Sequence, residues 1–362
     1  MYSHKARADR LRKVLELIRA DACIVKSEDN RRYLTGITTR DGVVIVTKAG
    51  NRYFIADAKS EEIASRQLSP QGFTVRGVNQ PSEYPICINE IFQADKISTA
   101  LLESNSISHE DYLWLENSLY AKILPLKTQL DKLRMTKDLE EIEYIKTAQR
   151  ISEKSFEDLL RFIKPGMSEK QIQAKLVQLM LENGSDMAKF NIVCVSGENT
   201  SLVHSSATDR IVEKGDNVML EFGAVYNGYR SNMARTFCVG KANDEFKRAY
   251  NVVKNATIIG QKYIRKGVSG RDADSEIRRY IEENGYRNHF RHSLGHGIGI
   301  GLEEAPFLSQ DSADILTTGE VVTMEPGIYL PGKFGVRIED LLYISNLGTE
   351  NLTRTTKELL EL

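Results

Sequence analysis

The sequence predicts an α/β protein in two parts. Residues 1–125 read as an N-terminal α/β domain, and residues 126–362 as a C-terminal α+β domain with an internal pseudo-twofold repeat. Two observations carry this. Short β-rich runs alternate with helical stretches through the first part, and helix and strand signals recur at a fixed offset through the second. A chain of 362 residues also exceeds most single cores and divides comfortably into two.

In chain order, Leu11, Val14, Leu15 and Ile18 share one face of a first helix, and ACIVK, GVVIVT, RYFIAD and ISTALLE follow as strands. The pattern ends near AKILPLKTQLDKLRMT. A long amphipathic helix then starts at about Leu139, with Ile142, Ile145, Ala148 and Ile151 at helical spacing. The repeat becomes visible at IKPGMSEK and IRKGVSGR, 101 residues apart, and Asn183-Gly184 and Asn284-Gly285 keep that offset. Ser168 and Ser269 stand where a following helix needs an N-cap, Gln171 completes a capping box with Ser168, and each Asn-Gly closes its helix.

Strand-like runs come next in both halves, NVMLEFGAVY with GYRSNMARTFCVG and EVVTMEPGIYL with GVRIEDLLYIS. An offset of 104 places Glu221 on Glu325 and Gly223 on Gly327; an offset of 107 places Arg230 on Arg337 and Asn232 on Glu339. Two polar side chains per half therefore hold equivalent strand positions among apolar neighbours. If the halves pack about a twofold axis, the four converge, and burial of such groups calls for partners. In SLGHGIGIGLEEAP, glycines on both sides of His296 let backbone or substrate approach the imidazole. A phosphate-cradling loop is disfavoured there, because no strand-turn-helix unit surrounds the glycines.

Composition excludes more than it selects. A net charge of -1 gives no pull toward nucleic acid or an anionic membrane. The four cysteines, Cys23, Cys87, Cys194 and Cys238, lack paired spacing and fit buried thiols. The stretch MYSHKARADRLRKVLELIRADA has no apolar core ahead of a cleavage site, and no apolar run reaches spanning length, so a cytoplasmic location is expected. Arg235 and Arg337 are expected to hold neighbouring carboxylates, and Tyr226 and Tyr229 to pack on the sheet with their hydroxyls at its edge.

Taken together, RRYLTGI, VHSSATDRIVEKGDNVMLEFGA, NGYRSNMART, GHGIG, EEAP, MEPGIY and GVRIED resemble the creatinase/aminopeptidase, or pita-bread, family over nearly the whole chain. That family includes Xaa-Pro dipeptidase, aminopeptidase P, methionine aminopeptidase and creatinase. The resemblance implies a creatinase-type N-terminal domain, a pita-bread C-terminal domain and a homodimer. It also implies a dinuclear metal site of Asp, Asp, His, Glu and Glu, at the positions here occupied by Glu221, Asn232, His296, Glu325 and Glu339. Two of these depart from the pattern. Asn232 replaces a bridging carboxylate with an amide, which offers one neutral oxygen and a donor end, and Glu221 is one methylene longer than the usual Asp. Seven residues beyond His296, where peptidase members carry a second histidine, stands Glu303; the upstream histidine of the family is present as His204.

Three functions are consistent with this degenerate metal site. The first is Xaa-Pro peptidase-like hydrolysis with one divalent ion (Mn, Co or Zn), Glu325 joining His204 and Glu303 at the reacting centre and His204, Glu303 and Arg337 orienting a small peptide. The second is metal-independent hydrolysis of a small cationic amide or amidine, with His204 as acid/base and Glu221, Glu303, Glu325 and Glu339 as an anionic cradle. The third is peptide binding without catalysis.

Overall fold

A computed structural model describes residues 3–187 and 192–362, and the chain divides into two compact units, one ending at Arg134 and the other running from Met135 to Leu362. In the first, the helix α1 (Ser3–Ile18) precedes β1 (Ala22–Val25), α2 (Glu28–Thr35), β2 (Val43–Thr47), β3 (Arg52–Asp57), α3 (Glu61–Leu68), β4 (Thr74–Val78), α4 (Glu83–Ala94), β5 (Thr99–Leu102), α5 (His109–Ser118) and β6 (Lys122–Pro125). Six strands form one sheet in the order β4-β3-β2-β1-β5-β6. Only β2 runs antiparallel to its neighbours. The four runs read as strands from sequence are β1, β2, β3 and β5. Continuous apolar stretches such as Val43–Val46 are completely covered, as a largely parallel sheet with helices on its faces requires. The edge strand β4 escapes that reading because four of its five residues, Thr74 to Gly77, are not buried and form no apolar run.

After the short α6 (Gln129–Met135), the second unit opens with α7 (Leu139–Leu160). Asp138 caps it through a box with Glu141: the Glu141 N–H donates to Asp138 at 3.0 Å and the Asp138 N–H to Glu141 at 2.8 Å. The first repeat continues with α8 (Glu169–Glu182), β7 (Val193–Ser196), β8 (Asn217–Phe222), the short hairpin β9 (Val225–Tyr226) and β10 (Tyr229–Arg230), and β11 (Met233–Cys238). The second repeat has α9 (Asp244–Tyr263), α10 (Gly270–Ile281), β12 (Gly295–Gly297), β13 (Glu304–Leu308), β14 (Val321–Met324), the hairpin β15 (Gly327–Leu330) and β16 (Phe334–Arg337), β17 (Asp340–Ser345) and β18 (Gly348–Asn351). Ser168 and Ser269 cap α8 and α10 as their positions suggest, accepting from Gln171 and Asp272. Gly184 and Gly285, at φ 100° and 94°, take the left-handed turns that follow.

Each repeat lays a helix pair on a sheet, and each closes its own apolar core. The strand orders β11-β8-β7 and β13-β12-β14-β17-β18 place β8 opposite β11 and β14 beside β17, the same antiparallel pairing twice. A bridge between Ala234 and Glu339 joins the two sheets at their seam. Because Glu221 pairs with Ala234 across β8 and β11, that single bridge brings Glu339 of the second half beside Glu221 of the first. Among the described residues no helix is long and apolar enough to cross a membrane.

Candidate active site

The seam gathers what the repeat aligned. Among the described residues, Glu221, Glu325 and Glu339 each offer a carboxylate oxygen within 4.8 Å of the others. Glu325 and Glu339 are buried, at 8% and 0% exposure, and Glu221 is partly open. Glu221 is the penultimate residue of β8, Glu325 follows β14, and Asn232 and Glu339 precede β11 and β17, so the repeat sets all four at or beside strand ends along the seam.

His296 comes from β12. Its Nδ1 lies 2.9 Å from the Gly297 carbonyl and donates to it, and its Nε2 lies 3.7 Å from Glu325 Oε1. The His296 N–H donates to Thr323 Oγ1 at 3.0 Å, and that hydroxyl lies 3.4 Å from the Glu325 carboxylate. The flanking glycines serve the backbone: a Cβ at Gly295 would lie 2.1 Å from the Thr323 carbonyl and one at Gly297 2.4 Å from the Ala305 carbonyl, so only glycine lets β12 sit between β14 and β13. Beyond β12, Arg230 steadies the loop, its N–H donating to Gly299 O at 2.8 Å and its Nε to Ile300 O at 2.9 Å. The buried pair Lys137–Glu304, at 2.8 Å, closes the turn.

At the departing positions the structure replaces cation contacts with its own donors. Asn232 Nδ2 donates to Glu339 Oε1 at 2.6 Å, and Arg337 NH1 pairs with Glu221 Oε2. Arg337 is 1% exposed; its Nε donates to the Tyr329 hydroxyl at 2.6 Å and its NH2 to Val203 O at 3.2 Å. Burial works against the guanidinium charge, but Tyr329, Glu221 and Glu325 outweigh it and hold the group charged. The Tyr329 hydroxyl in turn lies 2.8 Å from His292 Nε2, whose Nδ1 donates to Ser293 O at 2.8 Å, so Tyr329 donates and His292 is neutral. Arg235, by contrast, pairs with the buried Asp340 at 2.8 Å. Both arginines thus hold carboxylates, but the repeat-equivalent Arg230 holds backbone.

Burial drives the His292 pKa well below 6.5, with Arg337 adding to the effect. A depressed histidine pKa leaves the unfolded chain binding more protons below that value, so its stabilising share is complete above about pH 6.5 and is lost as pH falls through the window beneath it. Urea melts from pH 8 to pH 5 should show His292→Gln gaining on the native chain as pH drops, at up to about 1.4 kcal/mol per pH unit. A constant difference across the range would contradict the neutral imidazole.

His204 and Glu303 are exposed, on the segment after Ser201 and on the turn before β13, and Glu303 lies outside the carboxylate group. The Tyr229 hydroxyl is not at the sheet edge: it is buried and donates to Glu141 at 3.0 Å, because α7 covers that hairpin. Sequence reasoning passed over Glu169. It looks like an ordinary first-turn acid after Ser168, yet its buried carboxylate accepts from Ser196 N and Oγ at 2.7 and 2.8 Å, Asn199 Nδ2 at 3.2 Å, and Thr208 N and Oγ1 at 2.8 and 2.7 Å. It therefore pins both ends of the segment bearing His204. Only the residue's burial, invisible in one sequence, separates it from a solvated helix end.

As a donor set, the three carboxylates suit a divalent cation, and among the described residues His296 stands beside Glu325 but outside that group. One of the three is already matched by Arg337, and the amide at 232 turns its donor end to Glu339. The net charge left for a bound ion is about that of two carboxylates.

Known proteins share this sequence pattern and fold. The family model "Metallopeptidase family M24" matches residues 143–346, and "Creatinase/Prolidase N-terminal domain" matches residues 7–136. The Xaa-Pro dipeptidase of Pyrococcus furiosus is 31% identical over 98% of this chain and 100% of its own. Among solved structures, an Xaa-Pro dipeptidase from Bacillus anthracis superposes with a TM-score of 0.94 at 35% identity, covering 99% of this chain and 100% of that one. An X-Pro aminopeptidase from Thermotoga maritima gives 0.90 at 31% identity, covering 98% and 99%. The relatives are peptide-bond hydrolases with the creatinase-type and pita-bread architecture, and this chain belongs to metallopeptidase family M24.

Proposed function

We propose that this chain hydrolyses a peptide-like carbon-nitrogen bond in small peptides of the Xaa-Pro class, using one divalent ion, Mn, Co or Zn, where its relatives' family uses a dinuclear site. The observation that carries this reading is the convergence of Glu221, Glu325 and Glu339, with His296 Nε2 3.7 Å from Glu325. His296, Glu325 and Glu339 would hold the ion, with Glu221 contributing as far as Arg337 releases it. When bound, such an ion lowers the pKa of water and polarises a carbonyl. Asn232 keeps Glu339 oriented through its amide. Arg337 cancels the charge of Glu221 and so limits the site to one cation.

Around this centre His204 and Glu303, both exposed, would meet the substrate. Glu303 suits the peptide's ammonium group, and His204 is the exposed hydrogen-bonding group for its carboxylate or carbonyl. Glu325, hydrogen-bonded by Thr323 and beside His296, is the group placed to take a proton from the attacking water.

The test is hydrolysis of Leu-Pro and Ala-Pro with added Mn, followed by excess chelator. Turnover should fall at least about 100-fold on chelation and should be absent in His296→Ala. A second reading draws on the Arg337–Glu221 pair and the amide at 232, which already supply positive and donor groups where a cation would stand. Under it the remaining glutamates hold a small cationic amide or amidine, with His204 transferring protons. Full activity in chelator, lost in His204→Ala, would select that reading. Tight Leu-Pro binding with no turnover in any metal would leave only recognition.

A further inference from the structure

The hairpin that carries Glu303 changes register partway along. On β12 and β13, both within the unit that begins at Met135, Gly295 pairs with Leu308 and His296 with Phe307, but Gly297 pairs with Glu304. One step on β12 therefore spans three on β13, and Ala305 and Pro306 stand outside the ladder. Pro306 has no N–H to give, so pairing is interrupted here. The proline does not fix where pairing resumes. A regular register would set Pro306 opposite Gly297 and carry Glu303 two residues, or about 7 Å, further out along the hairpin.

Glu304 is held opposite Gly297 by its side chain. Lys137 Nζ lies 2.8 Å from Glu304 Oε1, with 1% of the lysine side chain and 7% of the glutamate side chain exposed. The other oxygen, Oε2, accepts from the Gly301 N–H at 3.3 Å. The loop backbone runs against this pair: a Cβ at Gly299 would stand 2.5 Å from Glu304 Oε1 and 3.0 Å from Lys137 Cε. Lys137 is itself fixed, its N–H donating to Gly319 O at 2.8 Å just before β14. Its charge also acts on Glu320, which keeps donors of its own in the Thr317 N–H at 2.8 Å and the Thr317 hydroxyl at 2.9 Å. Arg230 holds the loop at residues 299 and 300, which leaves 301–303 between two anchors. A buried ion pair gains little stability over apolar groups of the same volume, and its best-attested use is to specify one register among several.

We infer that Lys137 is a positioning residue: by pairing with Glu304 it fixes the slipped register of the β12–β13 hairpin and so sets Glu303 where the substrate's ammonium group arrives. The register follows from the ion pair alone, whereas its consequence for substrate rests on the reading in which Glu303 meets that ammonium. Lys137 acts at one remove, through Glu304 to the adjoining Glu303. The three therefore work as a unit, and their losses should not add.

The double variant Lys137→Met with Glu304→Leu removes both charges and keeps most of the volume, so it should melt in urea near the native midpoint. Its amides from 297 to 308 should exchange with deuterium at least about tenfold faster than those of the native chain, while β8 and β11 keep native rates. With Mn present, KM for Leu-Pro should rise at least about tenfold with kcat within about threefold, because the ammonium contact is made in ground and transition states alike. In a Glu303→Gln background the same double change should raise KM by less than about twofold further. Glu304→Gln, which keeps an acceptor beside Lys137, should shift exchange and KM in the same direction and serves if the double variant does not fold. Native exchange rates across 297–308, whatever the urea midpoint, overturn the inference. So does an unchanged KM in a chain that turns over Leu-Pro, or a KM effect that adds in full to that of Glu303→Gln. A native chain without Leu-Pro turnover would sink the hydrolase reading instead, and the exchange rates would then decide the register on their own.

Discussion

Replacing Arg337 with methionine should lower the unfolding free energy by about 3–5 kcal/mol, because it strands the Glu221 carboxylate in a mostly closed site and removes a donor from Tyr329 and Val203 together. Urea denaturation measures this directly. The loss belongs to the orphaned partners rather than to the worth of the ion pair, since a buried pair gains little over well-packed apolar groups. The double variant Arg337→Met with Glu221→Leu should therefore recover most of the stability while losing activity. If the single variant is as stable as the native chain, Glu221 is sufficiently solvated without Arg337 and the charge-cancelling role assigned to that arginine is wrong.

The second large effect is expected at the amide. Asn232→Asp removes the donor that reaches Glu339 at 2.6 Å and sets two carboxylates against each other. Without metal, the variant should be destabilised by about 1–3 kcal/mol at neutral pH. One of the two acids then has a raised folded pKa, so protonation relieves the repulsion and the deficit shrinks as pH falls through that raised value. With metal the sign reverses. The new carboxylate adds charge and a second ligating oxygen, and affinity for Mn should rise at least about tenfold, or 1.4 kcal/mol. Calorimetric titration of both forms reads the difference. Unchanged affinity would show that the Arg337–Glu221 pair, rather than the amide, sets the capacity of the site.

Those two side chains mark where reading the sequence succeeds and where it stops. Equivalence at offsets of 104 and 107 brought Glu221 onto Glu325 and Asn232 onto Glu339, and the bridge at Ala234 and Glu339 shows why equivalent strand ends meet. Strand alternation and N-cap chemistry are local, so β1, β2, β3, β5, α7 and the capped α8 and α10 were legible. The Arg337–Glu221 pair was not, because it joins residues 116 positions apart and either arginine of the repeat could have made it. Only packing decides that Arg230 turns to the carbonyls at 299 and 300 while its counterpart turns inward. The same holds for Tyr329 with His292 and for Glu169, whose roles come from burial and long-range bonds.

The central claim is that this site holds a single ion and that hydrolysis depends on it. Elemental analysis of the chain after Mn loading and removal of excess, paired with Leu-Pro hydrolysis on the same samples, tests it most directly. One equivalent of Mn per chain, with turnover proportional to occupancy, is the expected result. Two equivalents, or turnover that persists when no metal is bound, would contradict it.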